Sequence, residues 1–121
     1  MSTVLVIEDS ATEMQVITSC LKRGGLNVET ATSGEEAFAK LGSLKPDAIV
    51  LDVVLPGRSG FELCRDFKAE AGTSKIPVVL CSTKDSEMDK FWGMKQGADA
   101  YITKPIDQDK LVQTVKQLIK A

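Results

Sequence analysis

Histidine is absent from the 121 residues. The commonest general base and the commonest zinc ligand are therefore missing, and any chemistry here must run on carboxylates, hydroxyls, lysine or a metal ion. Cysteine is scarce: Cys20, Cys64 and Cys81 are odd in number, widely spaced and embedded in apolar patterns. Neither a disulfide framework nor a zinc knuckle is indicated, and all three read as buried free thiols of a reducing compartment. Excess positive charge is missing too, since Lys and Arg total 15 against 17 Asp and Glu, a formal charge of -2. No basic field exists to attract nucleic acid or anionic lipid, so neither is expected as a partner. No apolar run approaches the roughly 20 residues that cross a bilayer, and no charged leader with a cleavage site precedes the first apolar segment. A cytoplasmic protein without membrane attachment is expected.

What is present is a regular alternation. Short β-branched runs at Val4–Ile7, Val28–Ala31, Ala48–Leu51, Val78–Cys81 and Ala100–Thr103 are separated by longer amphipathic stretches. This is the pattern of a parallel sheet covered by helices on both faces. Ser10 with Glu13, Ser33 with Glu36 and Ser59 with Glu62 fit the capping box, in which each side chain bonds the other's free backbone N–H. Gly24-Gly25 should stop the first helix. Asp107 should cap the last, whose stripe is Leu111, Val112, Val115, Leu118 and Ile119. With 43% hydrophobic residues, a real core is available. The fold class is α/β: a single doubly wound (βα)5 domain with a five-stranded parallel sheet, flavodoxin-like in layout. It is expected to fill residues 1–121 with no repeat, linker or output domain.

Three of those strands end in chemistry. Glu8-Asp9 follows the first, Asp52 the third and Lys104-Pro105 the fifth, so in a parallel sheet three carboxylates and an ammonium meet on one edge, where open α/β sheets place their sites. Clustered carboxylates repel one another, and a hard divalent cation such as Mg²⁺ is their natural neutraliser. Lys104 offers positive charge to a phosphoryl oxygen, and Ser82, just past the fourth strand, offers a hydroxyl. Phosphoryl transfer depends mainly on positioning and charge neutralisation, so Asp52 is the candidate nucleophile even without a histidine base.

Glu8-Asp9-Ser10, the segment Asp52-Val53-Val54-Leu55-Pro56-Gly57-Arg58-Ser59-Gly60, Ser82, and Tyr101 followed by Lys104-Pro105 together resemble a response-regulator receiver domain, from end to end of the chain. That resemblance implies that Asp52 accepts phosphate from a histidine kinase. It implies that Glu8 and Asp9, with Asp52 and the backbone carbonyl of Val54, hold Mg²⁺, that Ser82 and Lys104 hold the phosphoryl oxygens, and that Lys104-Pro105 is cis. The segments Asp9–Met14, Thr83 through Gly93, and Gln96-Gly97-Ala98 are further similar to PilH-type regulators of chemotaxis-like systems that control type IV pilus motility. This narrower likeness implies a CheA-like kinase. The molecule is expected to be a monomeric phosphoacceptor rather than an enzyme, with output through protein contact.

Two positions depart from the commonest family pattern. Ser82 stands in place of threonine and lacks the methyl group that restrains the rotamer, which should soften switching. Thr83 stands where a small residue is usual, and its branched bulk should narrow access for water or a partner. In the expected switch, Ser82 moves toward the phosphoryl oxygens and Tyr101 turns its ring into the vacated space. The surface around Lys84, Met88, Trp92 and Tyr101 is remodelled for a downstream target. Met88, Phe91 and Trp92 also fit a plain core stripe by their helical spacing, and that alternative stays open.

Rival readings remain. An aspartyl phosphatase of the haloacid-dehalogenase type would want a second acid where Val54 stands. A flavodoxin-like cofactor binder would meet repulsion between Glu8-Asp9 and its phosphate. A phosphorylation-independent adaptor would not need the whole constellation, and a phosphate sink would use it without signalling.

Overall fold

The computed structural model describes residues 2–120. Five strands and five helices alternate: β1 Thr3–Ile7, α1 Ala11–Arg23, β2 Asn27–Ala31, α2 Gly34–Leu41, β3 Ala48–Asp52, α3 Gly60–Ala69, β4 Val78–Ser82, α4 Glu87–Lys95, β5 Ala100–Thr103 and α5 Gln108–Lys120. The strands form one sheet in the order β2-β1-β3-β4-β5, and every neighbouring pair is parallel. The expected doubly wound layout is thus observed. β3 and β4 each run one residue beyond the expected span, so Asp52 and Ser82 end their strands rather than follow them.

Strand alternation divides the core in two. Leu5, Ile7, Ile49, Leu51, Val78 and Leu80 face α2 and α3, where Ala37, Leu41, Leu63, Cys64 and Phe67 meet them. Val4, Val6, Ala48, Val50, Val79 and Cys81 face the other way, onto Ile17, Cys20 and Leu21 of α1 and Leu111 and Val115 of α5. Both faces of β1, β3 and β4 are covered, which is why those strands read as unbroken apolar runs instead of alternating ones. The three cysteines are buried and unpaired, as expected.

Helix starts follow the serine signals with one difference. Ser10, Ser33 and Ser59 each accept a hydrogen bond from the backbone N–H three residues on, but the return half of the box is not made by Glu13, Glu36 or Glu62. Glu36 instead accepts from the Thr32 N–H, Glu62 lies beside Arg58, and Glu13 reaches Lys104. The complete capping box belongs to Ser86 and Asp89 at the start of α4. The α1 helix ends at Gly24, with Gly25 at φ +86°, and Asp107 accepts from the Lys110 N–H at the start of α5.

α4 is the least embedded helix, for among its residues Gly93 alone is buried. Met88 is 74% exposed, and Phe91 and Trp92 are more than half exposed. The core-stripe alternative for these three side chains is therefore excluded: their helical spacing places them together on the outer face. No helix among the described residues is long and apolar enough to cross a membrane.

Candidate functional site

The sheet order reverses between β1 and β3, and α1 leaves β1 toward one face while α3 leaves β3 toward the other. The crevice at the carboxyl ends of these two strands is where such folds bind ligands. Glu8 sits at its floor, 1% exposed, with its backbone N–H bonded to the Ala31 carbonyl. Asp52 ends β3 and is also buried. Asp9 is exposed at the rim. One ligand oxygen from each of these three carboxylates falls within 4.8 Å of the others.

Lys104 enters from the end of β5, its backbone N–H held by the Ser82 carbonyl at 2.9 Å. Its side chain is only 7% exposed. The Nζ atom lies 2.6 Å from Glu8 Oε1, 3.4 Å from Glu13 Oε1 and 3.6 Å from Asp52 Oδ2. The Lys104–Asp52 pair expected of a site without phosphate is present at 3.6 Å, and Glu8 makes a shorter contact. The reason is burial: Glu8 has less access to water than any other acid of the site, so it gains most from the ammonium. Its second oxygen accepts from the Ser10 N–H at 3.1 Å.

Asp52 is left less well compensated. Burial, reinforced by the neighbouring Glu8 charge, pushes its carboxyl up from 3.8 to about 6, against the pull of Lys104 and of the Val54 N–H. At neutral pH it is mostly ionised, as a nucleophile needs to be, yet held in an environment that disfavours its charge. For Lys104, burial alone would lower the pKa. The Glu8 hydrogen bond and the charges of Asp52, Glu8 and Glu13 outweigh it, so the ammonium is held firmly charged. Burial pushes the Cys64 thiol up to about 11 and Cys81 to about 12, which keeps both neutral and inert.

The loop after Asp52 is shaped by two glycines. Gly57 takes φ +77°, the left-handed region. Gly60 donates its N–H to the Val53 carbonyl at 2.8 Å, so α3 begins directly against the Asp52 backbone, and a Cβ at Gly60 would run into the Asp52 carbonyl oxygen. Val54, whose side chain is exposed, presents its N–H to Asp52 Oδ1 at 3.4 Å.

Ser82 is fully buried, with its Oγ accepting from the Lys84 N–H at 3.2 Å. Thr83 beside it is exposed. The Lys104-Pro105 peptide is cis. The Tyr101 hydroxyl donates to the Lys84 carbonyl at 2.6 Å, and its ring lies so close to Gly93 that a Cβ there would come 2.9 Å from it. Ser82 and Tyr101 thus grip the same residue, Lys84, one by its N–H and one by its carbonyl. Sequence reasoning also missed Glu13 as a neighbour of Lys104. Its position three residues after Ser10 reads as a capping box, and nothing in the pattern separates a glutamate that caps from one that reaches the sheet edge.

Residues 4–116 match the response regulator receiver domain family. The chain is 40% identical over 119 residues to protein PilH of Pseudomonas aeruginosa, covering 98% of each. Among solved structures, the receiver domain of response regulator 1452 from Francisella superposes with a TM-score of 0.92 at 31% identity, covering 99% of this chain and 98% of that one. The chemotaxis protein CheY4 of Vibrio cholerae gives 0.90 at 30% identity, covering 98% of both.

Proposed function

We propose, from the premise that this chain belongs to the response regulator receiver domain family, that it accepts a phosphoryl group on Asp52 from a histidine kinase and signals by a phosphorylation-gated protein contact. The observation that carries this reading is the buried Asp52 carboxylate, flanked by Glu8, Asp9 and Lys104 within a few ångströms and open to solvent on the Asp9 side.

In the reaction, an Asp52 carboxylate oxygen attacks phosphorus, the phosphorus–nitrogen bond of the kinase phosphohistidine breaks, and its electron pair returns to the imidazole. No proton need leave Asp52, because it is already ionised, so the absence of histidine is no obstacle. Lys104 takes one phosphoryl oxygen as an ion pair. The Ser82 hydroxyl donates to another; in the resting state its oxygen accepts from the Lys84 N–H. The chain takes part as phosphoacceptor rather than as an enzyme acting on an outside substrate.

Mg²⁺ fits the donor set, which is oxygen-only with no cysteine or histidine among the clustered ligands. Glu8, Asp9, Asp52 and the Val54 carbonyl would hold it. When bound, the ion supplies positive charge that neutralises phosphoryl oxygens.

The 40% identity to PilH favours a CheA-like kinase and a chemotaxis-like motility pathway such as type IV pilus twitching. The outer face of α4, with Lys84, Met88 and Trp92 exposed and Tyr101 beside it, is the surface offered to a downstream target. A phosphate sink for the same kinase uses the same pocket and is separated from a messenger by whether that face responds. The reading is tested by incubation with acetyl phosphate and Mg²⁺ followed by intact-mass measurement. One added phosphoryl is expected, absent in Asp52→Asn and in Asp9→Ala; uptake that survives chelation or the Asp52 change refutes the assignment.

A further inference from the structure

Glu13 is the one carboxylate touching Lys104 that has no part in the reaction above. Its Oε1 is 3.4 Å from Lys104 Nζ, and its side chain is 41% exposed. The residue is not spent on the helix start. Ser10 accepts from the Glu13 backbone N–H, a bond any residue at this position makes, while the carboxylate turns away to the lysine. At α4 the corresponding acid, Asp89, does return to its serine. The Glu13 side chain is therefore committed to the sheet edge rather than to the cap.

We propose that Glu13 is a positioning residue that competes with the phosphoryl group for Lys104 and so holds down the occupancy of the phosphorylated state. The inference rests on the reading of Asp52 as phosphoacceptor. Lys104 has three N–H bonds, and in the resting arrangement three carboxylates surround them. A phosphoryl group on Asp52 brings oxygens that claim one of those bonds. Glu8 makes the shortest and most buried of the three contacts, at 2.6 Å, and is the last to give up its share. Glu13 can yield, because its partly exposed side chain swings into water at small cost. As long as it stays near, its negative charge opposes the incoming dianion. Two like charges disputing one cation lower the affinity of the second arrival, whichever arrives second.

The test uses beryllofluoride, a trigonal anion that binds a carboxylate as a phosphoryl mimic, titrated with saturating Mg²⁺ and followed by fluorine NMR. Glu13→Gln keeps the cap and the shape and removes the charge, and it should bind beryllofluoride about threefold to tenfold more tightly than the unaltered protein. The gain should shrink as ionic strength rises, since part of the interaction runs through solvent. A merely structural role would not produce that salt dependence. Glu13→Ala should shift in the same direction; tightening by Gln alone would assign the effect to the new amide and overturn the competition. Glu70→Gln, at the opposite end of α3, controls for net charge and should change nothing. Equal or weaker binding by Glu13→Gln, with the unaltered protein binding normally, overturns the inference. If the unaltered protein itself takes up no beryllofluoride, the phosphoacceptor reading falls and this inference with it.

Discussion

Removing the charge that makes Asp52 useful should make the resting protein more stable. Asp52 titrates near 6 in the folded chain against 3.8 as a free carboxylate, because burial and the Glu8 charge disfavour its ionised form. At 1.36 kcal/mol per pKa unit, the ionised group costs the metal-free fold about 3 kcal/mol at neutral pH. Asn has nearly the same shape and no charge, so Asp52→Asn should gain about 2 to 3 kcal/mol, or about 6 to 12 °C in Tm for a chain of this length. The sign with pH follows from proton counts. Between about pH 4 and 6 the folded protein holds a proton on Asp52 that the unfolded chain has released, so stability falls as pH rises through this window and the loss is complete above it. Urea unfolding with chelator present, at several pH values from 4 to 8, reads both quantities. Acids remote from the site are common to the two proteins, and the difference between the two curves isolates Asp52 together with its coupling to Glu8. The difference should be near zero at pH 4 and fully developed by pH 7. A variant no more stable than the parent at pH 7, or a difference that does not grow across this window, would refute the electrostatic account.

Lys104→Ala removes the cation bonded to buried Glu8 and should cost about 3 kcal/mol of stability. It should also leave some Mg²⁺-dependent phosphorylation that no longer reaches the α4 face, as read by urea midpoint and amide shifts; an unchanged midpoint contradicts the Glu8 pairing. Gly60→Ala drives a Cβ into the Asp52 carbonyl oxygen and should lose about 3 kcal/mol or more. Phosphoryl uptake should fall with it, a joint loss that calorimetry and mass measurement would reveal. Trp92 fluorescence should change with beryllofluoride and Mg²⁺, and the change should shrink in Ser82→Ala, which breaks the shared grip on Lys84; a silent Trp92 would favour the phosphate sink.

The alternation of apolar runs and capped amphipathic stretches was enough to determine five strands, five helices and their parallel, doubly wound arrangement, because each of those choices is local: a strand run, a serine cap, a glycine stop. The strand ends carried the chemistry in the same way, so Glu8, Asp9, Asp52, Ser82 and Lys104 were all legible as a cluster once the sheet was inferred. What the chain order leaves open is which partner each group takes. Lys104 pairs with Asp52 as expected, yet its shortest contact goes to Glu8, which is deeper, and depth is a property of the packed molecule rather than of spacing. Glu13 carries the same motif signal as a capping glutamate, and only the reach of the Lys104 side chain from the end of β5 across the carboxyl edge of the sheet brings the two together. Met88, Phe91 and Trp92 share a spacing that fits burial or exposure equally well. Periodicity reports that residues share a face; which way that face points depends on where the helix docks, and α4 docks on β5 through the Gly93 side, leaving the apolar stripe in water.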